Sequence, residues 1–150
     1  MGENTQTALE KLQAFVNKYP NSSYRIGANN LVSELRDKLE RKDIETAHQY
    51  FNIGEQIGSF KPAVDAYENF ISDHPGSVFR ELAFYGRVEA SYNRAISSIP
   101  AVQKERLLIS KEFYNKYAKY YKAGDKKEDA DALIAAIDKE LQKYQQPTEN

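Results

Sequence analysis

Apolar residues recur along this chain at steps of three and four rather than two, the period of helices that bury one face. Ala8, Leu9, Leu12, Phe15, Val16 and Tyr19 form a first stripe, which stops at Tyr19-Pro20 because a residue before proline is driven out of the helical region. Asn21-Ser22-Ser23 offers cap oxygens for a second helix, whose stripe Ala28, Leu31, Val32, Leu35, Leu39 continues through Ala47, Tyr50, Phe51 and Gly54. No proline or glycine falls between Gly27 and Gly54. The spacing fits one long helix over about 23–57 or two helices kinked near Arg41-Lys42-Asp43, and the absence of a breaker favours the continuous one. Gly58-Ser59 turns the chain, Pro62 suits a first helical turn, and Ala63, Ala66, Tyr67, Phe70 and Ile71 form the next stripe, ending at His74-Pro75-Gly76.

Ser77 then caps a helix carrying Leu82, Ala83, Tyr85, Val88, Ala90 and Tyr92, closed by Ile99-Pro100. Two more helices follow. One carries Val102, Ile109, Phe113, Tyr117 and Tyr120/Tyr121; the other starts at Asp125, with Glu128 three residues on as in a capping box, and carries Ala130, Leu133, Ile134, Ile137, Leu141 and Tyr144. Gln145 to Asn150 is a polar tail. The expected fold is all-α, with about six helices.

These helices repeat. Phe15-Val16-Asn17-Lys18-Tyr19-Pro20-Asn21-Ser22 superposes on Phe70-Ile71-Ser72-Asp73-His74-Pro75-Gly76-Ser77 at an offset of 55, which also places Ala8 on Ala63, Tyr24 on Phe79 and Ala28 on Ala83. A partial third copy, Phe113-Tyr114-Asn115-Lys116-Tyr117, has Ala118 where the proline belongs. Within the period, residues 44 to 75 follow tetratricopeptide spacing: small Ala47, Gly54 and Gly58, then Ala63 at the helix crossing, Tyr67 and Phe70 packing, and Pro75. Ala47 stands where the leading Trp belongs, and Phe51 where Gly marks the tight crossing. The expectation is a single α-solenoid array over 1–150, in pieces of about 5–20, 23–75, 77–123 and 125–144, which stacks its helix pairs and leaves a binding surface. In this register residues 5 to 19 are the second helix of a repeat. The first is missing, so the chain is expected to be a C-terminal fragment with a non-native Met-Gly start and an apolar patch around Leu9, Leu12 and Val16.

Composition narrows the chemistry. Twenty-one basic against 22 acidic residues leave no global footprint for nucleic acid, and the absence of cysteine removes disulfides, thiol nucleophiles and Cys-ligated metal. No apolar run is long enough to span a bilayer, and the start lacks the pattern of a secretory signal. The two histidines, His48 and His74, lie in no metal-ligand spacing, and there is no Gly-rich phosphate loop or nucleophile elbow. Neither a cofactor nor a metal nor a catalytic site is expected, and His74, standing where Tyr19 stands in the first copy, is structural.

Two surfaces remain. The first helix of a tetratricopeptide pair lines the concave face, which here selects Glu45, His48, Asn52, Glu55 and Gln56 as a protein-binding groove. Any solvated helix face has the same composition, and is the commoner origin of such a pattern. Residues 104 to 127 carry eight Lys or Arg against three acids, and Lys116, Lys119, Lys122 and Lys126 form a candidate basic contact surface for an acidic protein. Tyr114, Tyr117 and Tyr121 share a face there, which favours core packing with the lysines lying beside it.

The run Ala8…Leu12…Phe15…Tyr19-Pro20-Asn21-Ser22…Tyr24…Ala28, followed by Arg36-Asp37…Leu39…Glu45…Ala47…Tyr50-Phe51…Gly58…Ala63-Val64…Tyr67…Phe70…Asp73-His74-Pro75-Gly76-Ser77, resembles the C-terminal part of the BamD (YfiO/ComL) lipoproteins from about residue 7 to 97. Residues 102 to 145 depart from it. The resemblance implies a lipid-anchored parent at the periplasmic face of the outer membrane, whose membrane association rests on an anchor outside this fragment. It further implies a non-catalytic scaffold of β-barrel assembly whose partners are a BamA-like barrel-forming subunit and other lipoproteins of the complex, with no nucleic acid. A generic tetratricopeptide adaptor is the alternative; against it stands the 55-residue period, because ordinary arrays keep about 34.

Overall fold

The computed structural model describes residues 2–145, with side chains from Asn4 onward; the polar tail expected over 145–150 lies, but for Gln145, outside the described residues. Within them the chain forms six α-helices and no strand: α1 (Gly2–Lys18), α2 (Arg25–Ile57), α3 (Lys61–Asp73), α4 (Arg80–Ile96), α5 (Pro100–Tyr120) and α6 (Lys127–Gln142). The fold is all-α, of the tetratricopeptide-like helical-hairpin kind.

α2 runs unbroken for 33 residues, without a kink into two helices near Arg41. Its end is set by two glycines. A Cβ on Gly54 would lie 2.8 Å from both the Phe60 ring and the Ser59 carbonyl, and Gly58 has a φ of +71°, a conformation open to glycine at little cost. Pro62 then sits in the first turn of α3, where a missing N–H leaves no helical bond unmade.

The chain divides into two compact units, one of residues up to Asp43 and one from Ile44 onward. The first holds α1 and the start of α2, with Ala28 and Val32 as its buried apolar side chains. The second is built around α4, which packs against α3, α5 and α6. One face of α4 closes a cluster of Ile44, Ala47, Ala63, Val64, Tyr67, Phe70, Ala83 and Ala90. The other joins Phe84, Val88 and Ala95 to Leu107 and Tyr117 of α5 and to Ala130, Ile137 and Leu141 of α6. Small residues let these helices approach: the Ser91 and Ser110 hydroxyls meet at 3.1 Å between α4 and α5, both reaching the Val88 carbonyl. Tyr117 is fully buried and Tyr114 and Tyr121 pack against the same cluster, as their shared face predicts.

The backbone reproduces the repeat bond by bond. Around Pro20 the Tyr19 amide donates to Phe15 O, Ser22 to Tyr19 O, Arg25 to Ser22 O and Ala28 to Tyr24 O; around Pro75 the same four bonds join His74, Ser77, Arg80 and Ala83 to Phe70, His74, Ser77 and Phe79. Ser22 and Ser77 each accept from the amide two residues on, at 3.2 and 3.0 Å. A third copy of the turn joins Tyr121 to Tyr117, Gly124 to Tyr121, Lys127 to Gly124 and Ala130 to Lys126. The sequence match at Phe113–Tyr117 is therefore one helical turn early: Tyr117 and Tyr121 occupy the places of Phe70 and His74, with Lys122 for the proline and Gly124 for the capping serine. The Asp125/Glu128 capping box does not form, since α6 begins at Lys127 with no cap from its own flanking side chain. Glu81 of α4 substitutes, its Oε1 accepting from the Lys126 amide at 3.0 Å and from the Tyr117 hydroxyl at 2.8 Å.

Candidate binding cleft

A cleft of about 490 Å³ opens in the second unit between α2, α3 and α4 and is closed at one end by Lys126 from the turn before α6. Its walls follow from helical register. His48 and Asn52, four apart on α2, face Tyr67 of α3 and the α4 row Leu82, Tyr85, Gly86 and Glu89. Gly86 is required: a Cβ there would sit 2.4 Å from the Tyr67 ring, so only glycine lets that ring lie flat on α4.

The polar groups are ordered in pairs. His48 Nδ1 lies 2.5 Å from the Tyr67 hydroxyl, with the rings edge to face. Burial lowers the His48 pKa, opposed by Glu89 and Glu45 and assisted by Lys126, and burial together with Glu89 raises that of Tyr67. A neutral imidazole and a protonated phenol thus share one hydrogen bond, which leaves Nε2 as the second polar atom of the ring. Across the cleft the Tyr85 hydroxyl donates to Glu89 Oε2 at 2.7 Å, and burial and that bond raise the Tyr85 pKa. Lys126 Nζ lies 5.3 Å from the Tyr85 ring centre and 3.7 Å from Asp129 Oδ2. Its backbone is held by Glu81, which occupies the space left by the missing side chain of Gly124, where a Cβ would come within 2.0 Å of the carboxylate. Donors, an acceptor carboxylate and a cation therefore converge on apolar walls from Phe51 and Leu82, an arrangement suited to holding polar groups of a partner by hydrogen bonds.

Of the groove residues expected from sequence, His48 and Asn52 line the cleft, whereas Glu45, Glu55 and Gln56 are exposed on α2 outside it. The basic set divides as well. Lys126 is a cleft residue; Lys116, Lys119 and Lys122 are exposed on α5 and the turn after it, Lys116 near Glu112 at 3.9 Å and over Phe113, Lys119 over Tyr120. Tyr67, Tyr85 and Glu89 escape sequence reading because each tyrosine belongs to a packing stripe and Glu89 to a helix face that looks solvated. The spacing of Leu82, Tyr85 and Glu89 on one face of α4 is the signal that carried them.

A second depression, about 680 Å³ and almost wholly apolar, lies in the first unit along Leu12, Phe15, Tyr24, Ala28 and Leu31. Of the patch expected around Leu9, Leu12 and Val16, Leu12 lines it, and Leu9 and Val16 are half-buried. Among the described residues no helix is long and apolar enough to cross a membrane, and no group of three or more His, Cys, Asp or Glu could hold a metal ion.

Residues 2–60 match the family model YfiO, described as an outer membrane lipoprotein. The match covers α1, α2 and the turn after it, and ends before α3. No curated protein matches the chain. From α1 to the end of α2, then, this protein is similar to the YfiO outer membrane lipoproteins, the family to which its Tyr-Pro-Asn-Ser turn and long second helix already pointed.

Proposed function

We propose that this protein is a non-catalytic, protein-binding scaffold of outer membrane β-barrel assembly, which docks periplasmic domains of the barrel-forming subunit through the cleft of its second unit. The match of residues 2–60 to an outer membrane lipoprotein family carries the proposal. The cleft supplies its chemistry: Asn52 and Lys126 offer donors, His48 a ring nitrogen and Glu89 an acceptor, spaced to bind the exposed edge or loop of a folded partner. The same reading gives the parent a lipid anchor and a position at the periplasmic face of the outer membrane, which the likeness of residues 2–60 to outer membrane lipoproteins supports.

The test is a calorimetric titration of the chain with the isolated periplasmic domains of the matching barrel-forming subunit at two salt concentrations. Saturable binding that weakens about tenfold in His48→Ala/Glu89→Gln supports docking through the cleft. Binding unchanged in that variant moves the contact elsewhere, a strong salt dependence directing the search to Lys116, Lys119 and Lys122. The absence of binding overturns the docking role.

A further inference from the structure

Positions 80, 84 and 87 share one face of α4, opposite the face of Leu82, Tyr85, Gly86 and Glu89 that lines the cleft. There the guanidinium groups of Arg80 and Arg87 lie 4.8 and 4.9 Å from the centre of the Phe84 ring. Helix α5 adds a second ring to each, Tyr120 at 5.3 Å from Arg80 and Phe113 at 4.3 Å from Arg87. Two cations thus share one aromatic shelf. Arg87 is 6% exposed, and Glu68 approaches its Nη1 only to 3.7 Å. Arg80 Nε and Arg87 Nε and Nη2 are buried with no acceptor within hydrogen-bond distance. Burial lowers the Arg87 pKa, Glu68 opposes this, and the Arg80 charge adds to the lowering. Packing alone does not account for the arrangement, because leucine or methionine at 80 and 87 would fill the shelf without burying charged donors that lack acceptors.

We propose that Arg80 and Arg87 form a carboxylate-binding site for an acidic segment of a partner protein. A guanidinium fork matches a carboxylate with two parallel hydrogen bonds, and rings against its faces leave the donor edge for binding and little rotamer freedom to lose. Arg80, half-buried, is the reachable member and takes the first carboxylate. Glu68, whose side chain is 44% exposed, turns aside to admit a second acceptor to Arg87. The surroundings select a protein segment over a phosphate surface. Glu68 and Glu112 stand close enough to act on Arg87 and so repel a dense array of negative charge. The chain as a whole, with 21 basic and 22 acidic residues, exerts no long-range pull on a polyanion. Tyr120, 54% exposed, supplies an apolar rim for a side chain next to the acid, and Lys119, 5.5 Å from that ring centre, sets a further cation there.

The probe is a short capped peptide of alternating glutamate and leucine, titrated into the isotope-labelled full chain at low salt. The readout is the pair of side-chain Nε–H signals of Arg80 and Arg87, which a merely structural role would leave in place. The expected result is saturable movement of both, weakened by added salt. Arg80→Gln is expected to weaken binding about tenfold, and Arg80→Lys, which keeps the charge and the stem but loses the fork, by a smaller factor, both variants being shown folded by thermal melting. Lys104→Gln removes an exposed charge near the start of α5 and is expected to leave binding unchanged. Absence of saturation, Nε–H signals that stay still while backbone amides shift, an equal loss in Lys104→Gln, or undiminished binding by Arg80→Gln would each overturn the proposal. So would movement of the same signals by vesicles of anionic phospholipid and not by the peptide, which would make this face a membrane contact. None of these readouts involves the cleft on the opposite face of α4, so the two readings fail separately.

Discussion

Single residues carry the tightest constraints. Gly86 makes room for the Tyr67 ring, and Gly86→Ala is expected to destabilise the second unit by about 1–3 kcal/mol in urea denaturation, because the ring can retreat only by giving up the His48 bond. His48 gives the same pair a pH signature. Its native pKa lies below the ordinary histidine value, so the unfolded chain takes up a proton more readily as pH falls through that value. Stability is therefore full above about pH 6.5 and declines below it, and His48→Gln flattens that part of a stability–pH curve recorded by chemical denaturation. Arg87 is a different kind of constraint. Its buried guanidinium is stacked between Phe84 and Phe113, with ring centres at 4.9 and 4.3 Å, and Glu68 lies 3.7 Å away. Such planar stacking is open to arginine and closed to lysine, so Arg87→Lys is expected to cost about 1–2 kcal/mol in the same denaturation assay.

At the level of elements, the turns after α1, α3 and α5 share one backbone and differ in what holds them. Ser22 and Ser77 brace their turns by accepting from the amide two residues on, although the α4 cap position itself, Phe79, has no side-chain cap; Gly124 has no side chain to do so, and Glu81 reaches over from α4. Such a local hydrogen bond contributes about 1 kcal/mol, so Ser77→Ala is expected near that value. Gly124→Ala is expected to cost more, since the methyl group displaces a carboxylate that also holds Tyr117 and the Lys126 backbone. Unfolding of Gly124→Ala, Glu81→Ala and the pair together should be clearly non-additive, and additivity would show that the two residues do not act through one another. This turn is also where sequence reading failed. Pro20-Asn21-Ser22 and Pro75-Gly76-Ser77 announce themselves by local chemistry, and a turn capped by a residue more than forty positions away announces nothing locally. The long α2 was legible because a helix needs only an unbroken period and the absence of proline and glycine.

Across the whole molecule the two units differ in how much they bury. Between Ile44 and Leu141 the second unit closes two apolar clusters on α4, while the first buries Ala28 and Val32 and leaves Tyr24, Ile26 and Leu31 in solvent. Local opening should follow that difference, so amides of α1 are expected to exchange with solvent well before those of α4 in native-state hydrogen exchange. Equal protection of α1 and α4 would contradict this account. Much of the protein was determined by its sequence alone: the helical class, the helix boundaries at Pro20, Gly58, Pro75 and Pro100, the offset of 55 and the family resemblance, because period, breakers and caps act within a few residues of one another. Tertiary structure alone decided which polar residues converge. His48 and Asn52 meet Glu89 and Lys126 across three helices and a turn, while Glu45, Glu55 and Gln56 on the same helix stay outside, because a cleft is made by the distances between elements, and the spacing of residues along one element does not contain them.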